Sequence, residues 1–150
     1  MKAIVQRVTE ASVTIDGTLY SSIKKGFLVL LGVHREDTPE DVVWITRKII
    51  GMRVFEDDKG QMNTTLADVD GDILVVSQFT LIASNRKGNR PSFNEAAPPE
   101  LGKKLYLETV SALTRATGKE VATGIFAADM KVSLINDGPV TITLDTRNKE

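Results

Sequence analysis

The polar side chains best suited to act on an ester or a carbonyl lie in the segment Ser77–Leu81, which reads Ser-Gln-Phe-Thr-Leu. A strand is predicted here, and strand alternation would put Gln78 and Thr80 on one face. Ser77 and Phe79 would point the other way. An amide beside a hydroxyl can hold an ester or polarise a carbonyl. Local sequence alone favours a simpler interpretation, a solvated sheet face, because threonine is common in strands.

A nucleophilic role for Thr80 would require a neighbouring base, because an unactivated hydroxyl is a poor nucleophile. The segment Ser77–Leu81 contains no lysine and no carboxylate, and the single histidine, His34, is distant in sequence. His34 is more typical of a strand-end surface or packing residue than of a catalytic one. The chemistry would then depend on backbone N–H groups or on a group of the substrate itself.

A second unusual segment, Asn136-Asp137-Gly138-Pro139, separates two alternating runs near the C-terminus. Pro139 has no N–H and a fixed φ, so it cannot be an ordinary paired residue inside a sheet. Gly138-Pro139 therefore presents bare carbonyls on a stiff backbone, and such a wedge can test the shape of a ligand. From this segment alone, an ordinary hairpin turn is the favoured interpretation, since glycine and proline are common in turns.

Two further segments could contribute to a site. The long polar connection 83–97 carries Arg86, Lys87 and Arg90, which could contact phosphates or could only be solvated. The segment 122–130 contains Phe126 and Met130, which could form an apolar wall, although core packing is the default interpretation.

Composition limits the classes of function. The chain has 150 residues, a formal net charge of −1, no cysteine and one histidine. Near-neutral charge argues against a protein that holds nucleic acid through a broad basic surface. The absence of cysteine excludes disulfides and thiol chemistry, and a single histidine disfavours a multi-histidine metal site. With no signal-peptide pattern and no apolar run long enough to span a membrane, the sequence predicts a soluble cytoplasmic protein.

The order of elements predicts one mixed α/β domain over residues 1–150, rich in strands, with a barrel-like mixed sheet and two main helices. Helices are expected from the Pro39 region to Gly51 and from the Pro98 region to Gly118. Strands are expected at 2–8, 11–15, 18–24, 27–33, 53–55, 73–82, 119–124, 130–136 and 139–145. Two helices cannot cover both faces of so much sheet, so a homodimer is expected.

Taken together, these segments resemble the D-aminoacyl-tRNA deacylase family of bacteria and eukaryotes. The matching segments are Met1–Val8, Ser77–Leu81, Lys87–Phe93, Thr123–Met130 and Asn136–Ile142. They follow the family's order and span essentially the whole chain, and the pair SQFTL with NDGPVT is specific. One position departs from the pattern: Ala127 occupies a place where the family prefers glycine, and its added methyl group could slightly narrow the pocket wall and alter fine selectivity.

The resemblance implies an enzyme that hydrolyses the ester joining a D-amino acid, and also glycine, to the terminal adenosine of tRNA, as a chiral proofreading step in translation. No cofactor and no metal is implied. The family forms homodimers, and Gly138-Pro139 would be a cis dipeptide reaching into the partner's site. Its carbonyls would occupy the space that an L side chain needs, so L-aminoacyl-tRNA would be rejected by exclusion.

The resemblance also implies roles for individual residues. Gln78, Phe79 and Thr80 would surround the ester, and the Phe79 N–H would stabilise its carbonyl. Thr80 is either the nucleophile or a positioning group while the ribose 2′-OH assists water, and the missing base favours the second role.

Further residues would complete the binding site. Ser77 and Met130 would line the pocket, and Arg7 would brace the Gly138-Pro139 loop through its carbonyls.

Two rival functions remain open. One is a non-catalytic module that binds the aminoacylated 3′ end of tRNA, using the loop from Arg86 to Arg90 and an aromatic ring such as Phe93. The other is a dimeric small-ligand protein in which Gly138-Pro139 is only structural. A pure binder needs neither the polar Ser77–Leu81 segment nor a chiral wedge, which favours the enzyme.

Overall fold

A computed structural model describes residues 1–149 of the chain. Its elements in chain order are β1 (Lys2–Ile15), β2 (Thr18–Ile23), β3 (Gly26–Gly32), α1 (Pro39–Gly51), β4 (Phe55–Glu56), β5 (Met62–Thr64), β6 (Asp72–Ser77), α2 (Pro99–Thr117), β7 (Ala122–Thr123) and β8 (Lys131–Asp145), with a short 3-10 helix at Phe79–Leu81. The main sheet has the order β2-β1-β3-β6-β7, and β8 pairs with β1. The β3–β6 and β6–β7 pairs are parallel, whereas β1 is antiparallel to its neighbours.

The long strand β1 organises this sheet because it pairs with three other strands. Its first half lies between β3 and β8, and its second half lies between β2 and β8. The turn after it uses Asp16 and Gly17, both at positive φ (51° and 76°), as the favoured two-residue hairpins require. The predicted strands 2–8 and 11–15 are therefore one strand, and the register shifts opposite β8 between Gln6 and Glu10.

The two helices pack on one face of the sheet. Thr38 precedes α1, its N–H donates to the Asp41 carboxylate at 2.8 Å, and Pro39 occupies the first turn, so the predicted helix start is confirmed. The buried face of α1 carries Ile45 and Ile49. The main core forms where the helices meet the side chains that β1 and β3 direct toward them. A smaller second core lies on the other face of the sheet, where β1, β2, β3 and β6 contribute its buried side chains.

The result is a mixed α/β domain with two helices and a nearly closed, barrel-like sheet, as the sequence predicts. Several predicted boundaries are wrong. The strand predicted at 73–82 ends at Ser77, and the one predicted at 119–124 shortens to β7. The strands predicted at 130–136 and 139–145 are a single strand, so Asn136–Pro139 is not a hairpin turn. No helix within residues 1–149 is both long and apolar enough to cross a membrane.

Candidate active site

A cleft of about 560 Å³ opens where β6 ends. Its walls come from the end of β6, the loop before α2, the start of α2 and the segment between β7 and β8. They are largely apolar, and the lining side chains include Ser77, Gln78, Phe79, Phe93, Phe126 and Met130. Four residues predicted for the site, Ser77, Gln78, Phe79 and Met130, thus meet in one place.

The backbone turns sharply after Ser77, and this turn sets the polar part of the cleft. The Gln78 N–H donates to the Leu31 carbonyl at 2.8 Å, which fastens the turn to the end of β3. A short 3-10 helix follows, with Leu81 N–H donating to Gln78 O at 3.1 Å. The expected strand alternation is therefore wrong. Gln78 and Thr80 are nevertheless side by side, because the Gln78 amide donates a short hydrogen bond to the Thr80 hydroxyl.

The same turn leaves two backbone donors free. Within residues 1–149, neither the Phe79 N–H nor the Thr80 N–H donates to another group. These are the orphan donors expected at the start of any helical turn. Phe79 also lines the cleft, so its unpaired N–H is a candidate donor to the carbonyl oxygen of a bound ester.

Two aromatic rings form one side of the cleft mouth. Phe79 and Phe93 meet edge to face, with ring centroids 5.2 Å apart and planes at 72°. Phe79 is 56% exposed and Phe93 is 37% exposed, so both rings present surface to solvent and to any ligand. From the sequence, Phe93 is expected to hold a terminal base only in the rival binding function. The sequence feature that could have indicated its place is its position at the end of the Lys87–Phe93 segment, shortly before α2, whose first residue also lines the cleft.

The loop that carries Phe93 is fastened at its base by main-chain pairs. Ser84 and Ser92 exchange two hydrogen bonds of 2.8 Å. Closer to α2, Arg35 N–H donates to Glu95 O and Ala97 N–H donates to Val33 O, each at 2.9 Å. The loop is thus irregular, as predicted, but its path back to α2 is fixed.

The opposite wall is the turn between β7 and β8. Ala128 N–H donates to Ile125 O at 3.1 Å, and Ala127 has a φ of 67°, a conformation that turns usually give to glycine. Gly124 lies before this turn, and a Cβ atom built there would be 2.3 Å from the Met130 sulfur. Glycine at this position is what lets Met130 pack into the wall.

Charge is scarce in the cleft. Asp129 is the one titratable side chain lining it among residues 1–149, and it is exposed and paired with Lys131 at 3.1 Å. Behind the wall, the buried Tyr106 packs near Phe126 and donates to Val75 O at 3.2 Å. Burial raises the pKa of Tyr106 to about 12, so its hydroxyl stays protonated.

His34 lies outside the cleft lining. Its Nε2 is 3.2 Å from the Glu95 carboxylate, and its Nδ1 accepts from the Glu36 N–H at 3.1 Å. These contacts tie the end of β3 to the loop that carries Phe93. The position agrees with the packing role expected for His34.

A second cluster surrounds Gly138-Pro139, whose peptide bond is cis. Residues 137–140 have no partner in β1 and bulge opposite Arg7. Arg7 is only 6% exposed. Its Nε donates to Asp137 O at 2.8 Å and its Nη1 donates to Val54 O at 2.6 Å. The guanidinium therefore holds the carbonyl that immediately precedes the dipeptide.

The Asn136 side chain closes the same bulge. Its Oδ1 accepts from Val140 N–H at 2.7 Å, and its Nδ2 donates to Val140 O at 3.2 Å. Gly138 has a φ of 138°, and a Cβ atom there would be 2.8 Å from the Val140 side chain and 3.0 Å from Arg7 Nη2. Gly138 and Pro139 are nevertheless exposed. The segment is an exposed part of the bulge, held on either side by the contacts of Arg7 and Asn136.

Within one chain this cluster does not reach the cleft. Arg7 pairs with Phe27 at the start of β3, whereas Leu31 at the other end of β3 pairs with Ser77. Four residues along a strand separate the two positions by about 13 Å. Arg7, Gly138 and Pro139 accordingly do not line the cleft.

Known proteins match the chain along its length. A family model described as D-Tyr-tRNA(Tyr) deacylase matches residues 4–145. A relative from Bacteroides thetaiotaomicron, named D-aminoacyl-tRNA deacylase, is 54% identical over 150 residues, covering 100% of both chains. A solved structure described as "c-Myc DNA Unwinding Element Binding Protein" has a TM-score of 0.91 and 43% identity, covering 97% of this chain and 99% of that one.

A more distant structure shares the fold. It is described as "Structural Analysis of a probable eukaryotic D-amino acid tRNA deacylase" and superposes with a TM-score of 0.81 at 16% identity. It covers 95% of this chain and 97% of that one.

Proposed function

The chain belongs to the D-Tyr-tRNA(Tyr) deacylase family, and from that membership we propose that it hydrolyses the ester of D-aminoacyl-tRNA to free amino acid and tRNA. The observation that carries this function is the full-length match to relatives of that name. It is joined to a largely apolar cleft lined by Gln78 and Phe79, beside which the Thr80 hydroxyl accepts from the Gln78 amide and the Phe79 N–H has no partner among residues 1–149. Those groups can hold an ester carbonyl and the adenosine that bears it.

The polar turn after β6 acts on the ester itself. The Phe79 N–H donates to the carbonyl oxygen as it gains negative charge, and the Gln78 amide fixes the ester against that donor. A water molecule adds to the carbonyl carbon, the bond to the ribose oxygen breaks, and that oxygen takes up a proton. The exposed rings of Phe79 and Phe93 give the adenine an apolar surface to pack against at the cleft mouth.

Thr80 positions the substrate and does not attack it. Its hydroxyl already accepts a hydrogen bond from Gln78, and the one titratable group lining the cleft among the described residues, Asp129, is exposed and paired with Lys131. A threonine nucleophile needs an adjacent base. The ribose 2′-OH, which the substrate brings beside its own ester, assists the attack of water.

The Gly138-Pro139 segment of a second protomer discriminates D- from L-aminoacyl-tRNA. Arg7 and Asn136 fasten this segment while leaving it exposed, and within one chain it lies at the far end of β3 from the cleft. In a homodimer, the segment of one protomer enters the cleft of its partner. Its main-chain carbonyls fill the space that an L side chain needs, whereas a D side chain points away.

Two consequences follow from a site that works by exclusion. Many D-amino acids are accepted, because no pocket selects among their side chains. Glycyl-tRNA is also a substrate, since glycine has no side chain to exclude.

The test is a comparison of D-Tyr-tRNA with L-Tyr-tRNA, each incubated with the protein while free tyrosine is measured. Release of the D-amino acid alone is the expected result. Tight binding of both without release would instead identify a binding module for the aminoacylated 3′ end of tRNA, and equal cleavage of both would remove the chiral role of Gly138-Pro139.

A further inference from the structure

The loop between Ser84 and Ser92 carries three cations at its tip, and we propose that these tip cations (Arg86, Lys87 and Arg90) bind the phosphates of the single-stranded 3′ end of tRNA next to its terminal adenosine. This inference rests on the proposed function, and it names the surface that delivers the substrate to the cleft.

The tip cations lie close together in one loop, and no acidic side chain among residues 1–149 neutralises them. By contrast, Lys119 contacts Asp70 and Asp72, and Arg147 contacts Glu36. Within residues 1–149, no ion pair includes a tip cation, although all three are exposed. Three adjacent unpaired charges on a protein with a net charge of −1 make a local site for anions.

The one acid at the base of the loop is already neutralised. The Glu95 carboxylate lies 3.1 Å from Arg35 Nη2 and 3.2 Å from His34 Nε2. Glu95 lines the same second cleft as Arg86 and Lys87, and its ion pair with Arg35 reduces its repulsion of a phosphate bound there.

The tip is connected to the active-site cleft through three consecutive residues. Phe93 lines the cleft itself, whereas Ser92 and Asn94 on either side of it line a second open cleft together with Arg86, Lys87 and Glu95. The second cleft has a volume of about 550 Å³. A nucleotide stacked at Phe93 thus has its upstream phosphates directed toward the cations.

The base of the loop is rigid enough for this task. The Ser84–Ser92 pair closes the loop, and Pro91 restricts the chain just before it. Gly88 at the tip has a φ of 75° and open space around it. The main chain therefore holds the cations on a fixed stem, and their long side chains adapt to the phosphates. Phosphate contacts of this kind position RNA without reading its sequence.

The experiment compares a loop variant with a charge-matched control. The loop variant replaces the tip cations with glutamine, and the control replaces Arg47, Lys48 and Arg115, two arginines and one lysine on exposed helix positions. Each protein is assayed for kcat/KM on D-Tyr-tRNA and on D-tyrosyl-adenosine, an ester that carries no phosphate. In parallel, fluorescence anisotropy measures the affinity for an acceptor-stem minihelix that ends in CCA and carries no amino acid, over a range of salt concentrations.

The proposal predicts that the loop variant loses kcat/KM only on the substrate that carries phosphates. Its kcat/KM on D-Tyr-tRNA should fall by about tenfold or more, while the control and the phosphate-free ester stay within about twofold of wild type. The slope of log affinity against log salt for the minihelix should become shallower by about 2, because three contacts to a single strand each contribute about 0.7.

Other outcomes overturn the proposal or separate it from the proposed function. A loop variant with wild-type activity and salt slope would overturn it, and so would an equal loss in the control. If the wild-type protein cleaves neither ester, the proposed function fails, but a shallower salt slope in the loop variant still supports the phosphate surface. An unchanged slope in that case overturns the phosphate surface as well.

Discussion

The turn around Gln78 and the bulge around Gly138 are built in opposite ways. The turn exposes an aromatic ring, and among residues 1–149 two of its N–H groups have no partner and its two polar side chains bond only to each other. The bulge is fastened by the buried Arg7 and by the Asn136 side chain, and its exposed surface is main chain.

The difference suits the two regions to different roles, ester binding at the turn and exclusion of one enantiomer at the bulge. Groups that must bind a reacting ester need free donors, which the turn supplies. A surface that must exclude one enantiomer has to resist displacement, and the bulge gains that resistance from a charged side chain hydrogen-bonded to main-chain carbonyls. The predictions that follow separate the two roles, because changes at the bulge should affect stability and selectivity whereas changes at the turn should affect rate.

Arg7→Ala should have the largest effect, at the bulge. The change removes two hydrogen bonds from a charged donor and leaves the carbonyls of Asp137 and Val54 unpaired. We expect the free energy of unfolding, measured by urea denaturation, to fall by about 4 kcal/mol. Arg86→Ala, which removes an exposed arginine, is the control and should change it by less than about 0.5 kcal/mol. Equal effects of the two substitutions would contradict a bracing role for Arg7.

Gln78→Ala should have the next largest effect, at the turn. If the amide fixes the ester against the Phe79 N–H, kcat/KM on D-Tyr-tRNA should fall by about 100-fold, in the range found when a carbonyl-binding donor is lost. Stability should change little, because within the described part of the chain the Gln78 side chain bonds only to the Thr80 hydroxyl. Steady-state kinetics with a parallel denaturation curve checks both parts, and an unchanged rate would remove Gln78 from the site.

Gly138→Ala should weaken selectivity more than rate. A methyl group would lie 2.8 Å from the Val140 side chain at a φ of 138°, so the bulge must shift. We expect the ratio of D-Tyr-tRNA to L-Tyr-tRNA cleavage to fall by about tenfold, at a cost of about 2 kcal/mol in stability. Gly88→Ala, at a φ of 75° with open space around it, is the matched control. A loss of selectivity in the control as well would show that the effect is not specific to the bulge.

Thr80 substitutions should have the smallest effect. If the hydroxyl only positions the substrate, Thr80→Ser should match wild type and Thr80→Ala should keep kcat/KM within about tenfold. A single-turnover assay on D-Tyr-tRNA separates the chemical step from product release. Inactivity of Thr80→Ala together with an active Thr80→Ser would instead identify an attacking hydroxyl.

Sequence patterns sufficed where local chemistry decides the structure. Thr38 and Pro39 mark the start of α1, and Asp16-Gly17 marks a hairpin. Patterns failed after Ser77, because the residues that follow favour strands as readily as they favour the observed turn. The turn depends on a tertiary contact, the hydrogen bond from Gln78 N–H to Leu31 O.

The same limit applies to the second segment of the site. Asn136–Pro139 has the composition of a hairpin turn, yet β1 pairs with the chain on both sides of it and keeps β8 continuous. The sequence could therefore indicate that Gly138-Pro139 is unusual, and the family resemblance could give it a role. Only the fold shows that it lies away from the cleft of its own chain, because that separation depends on the register of β1 against β3.

The most direct test of cross-protomer chiral exclusion is subunit mixing. Gly138→Ala protein, which keeps an active cleft, is co-refolded with an excess of Gln78→Ala protein, which keeps an intact bulge but a weakened cleft. Cleavage of L-Tyr-tRNA should then fall toward the wild-type level while cleavage of D-Tyr-tRNA persists, because most active clefts now receive an intact segment from the other protomer. If the ratio of D to L cleavage stays that of the Gly138→Ala protein alone, however large the excess, the Gly138-Pro139 segment does not act across the dimer.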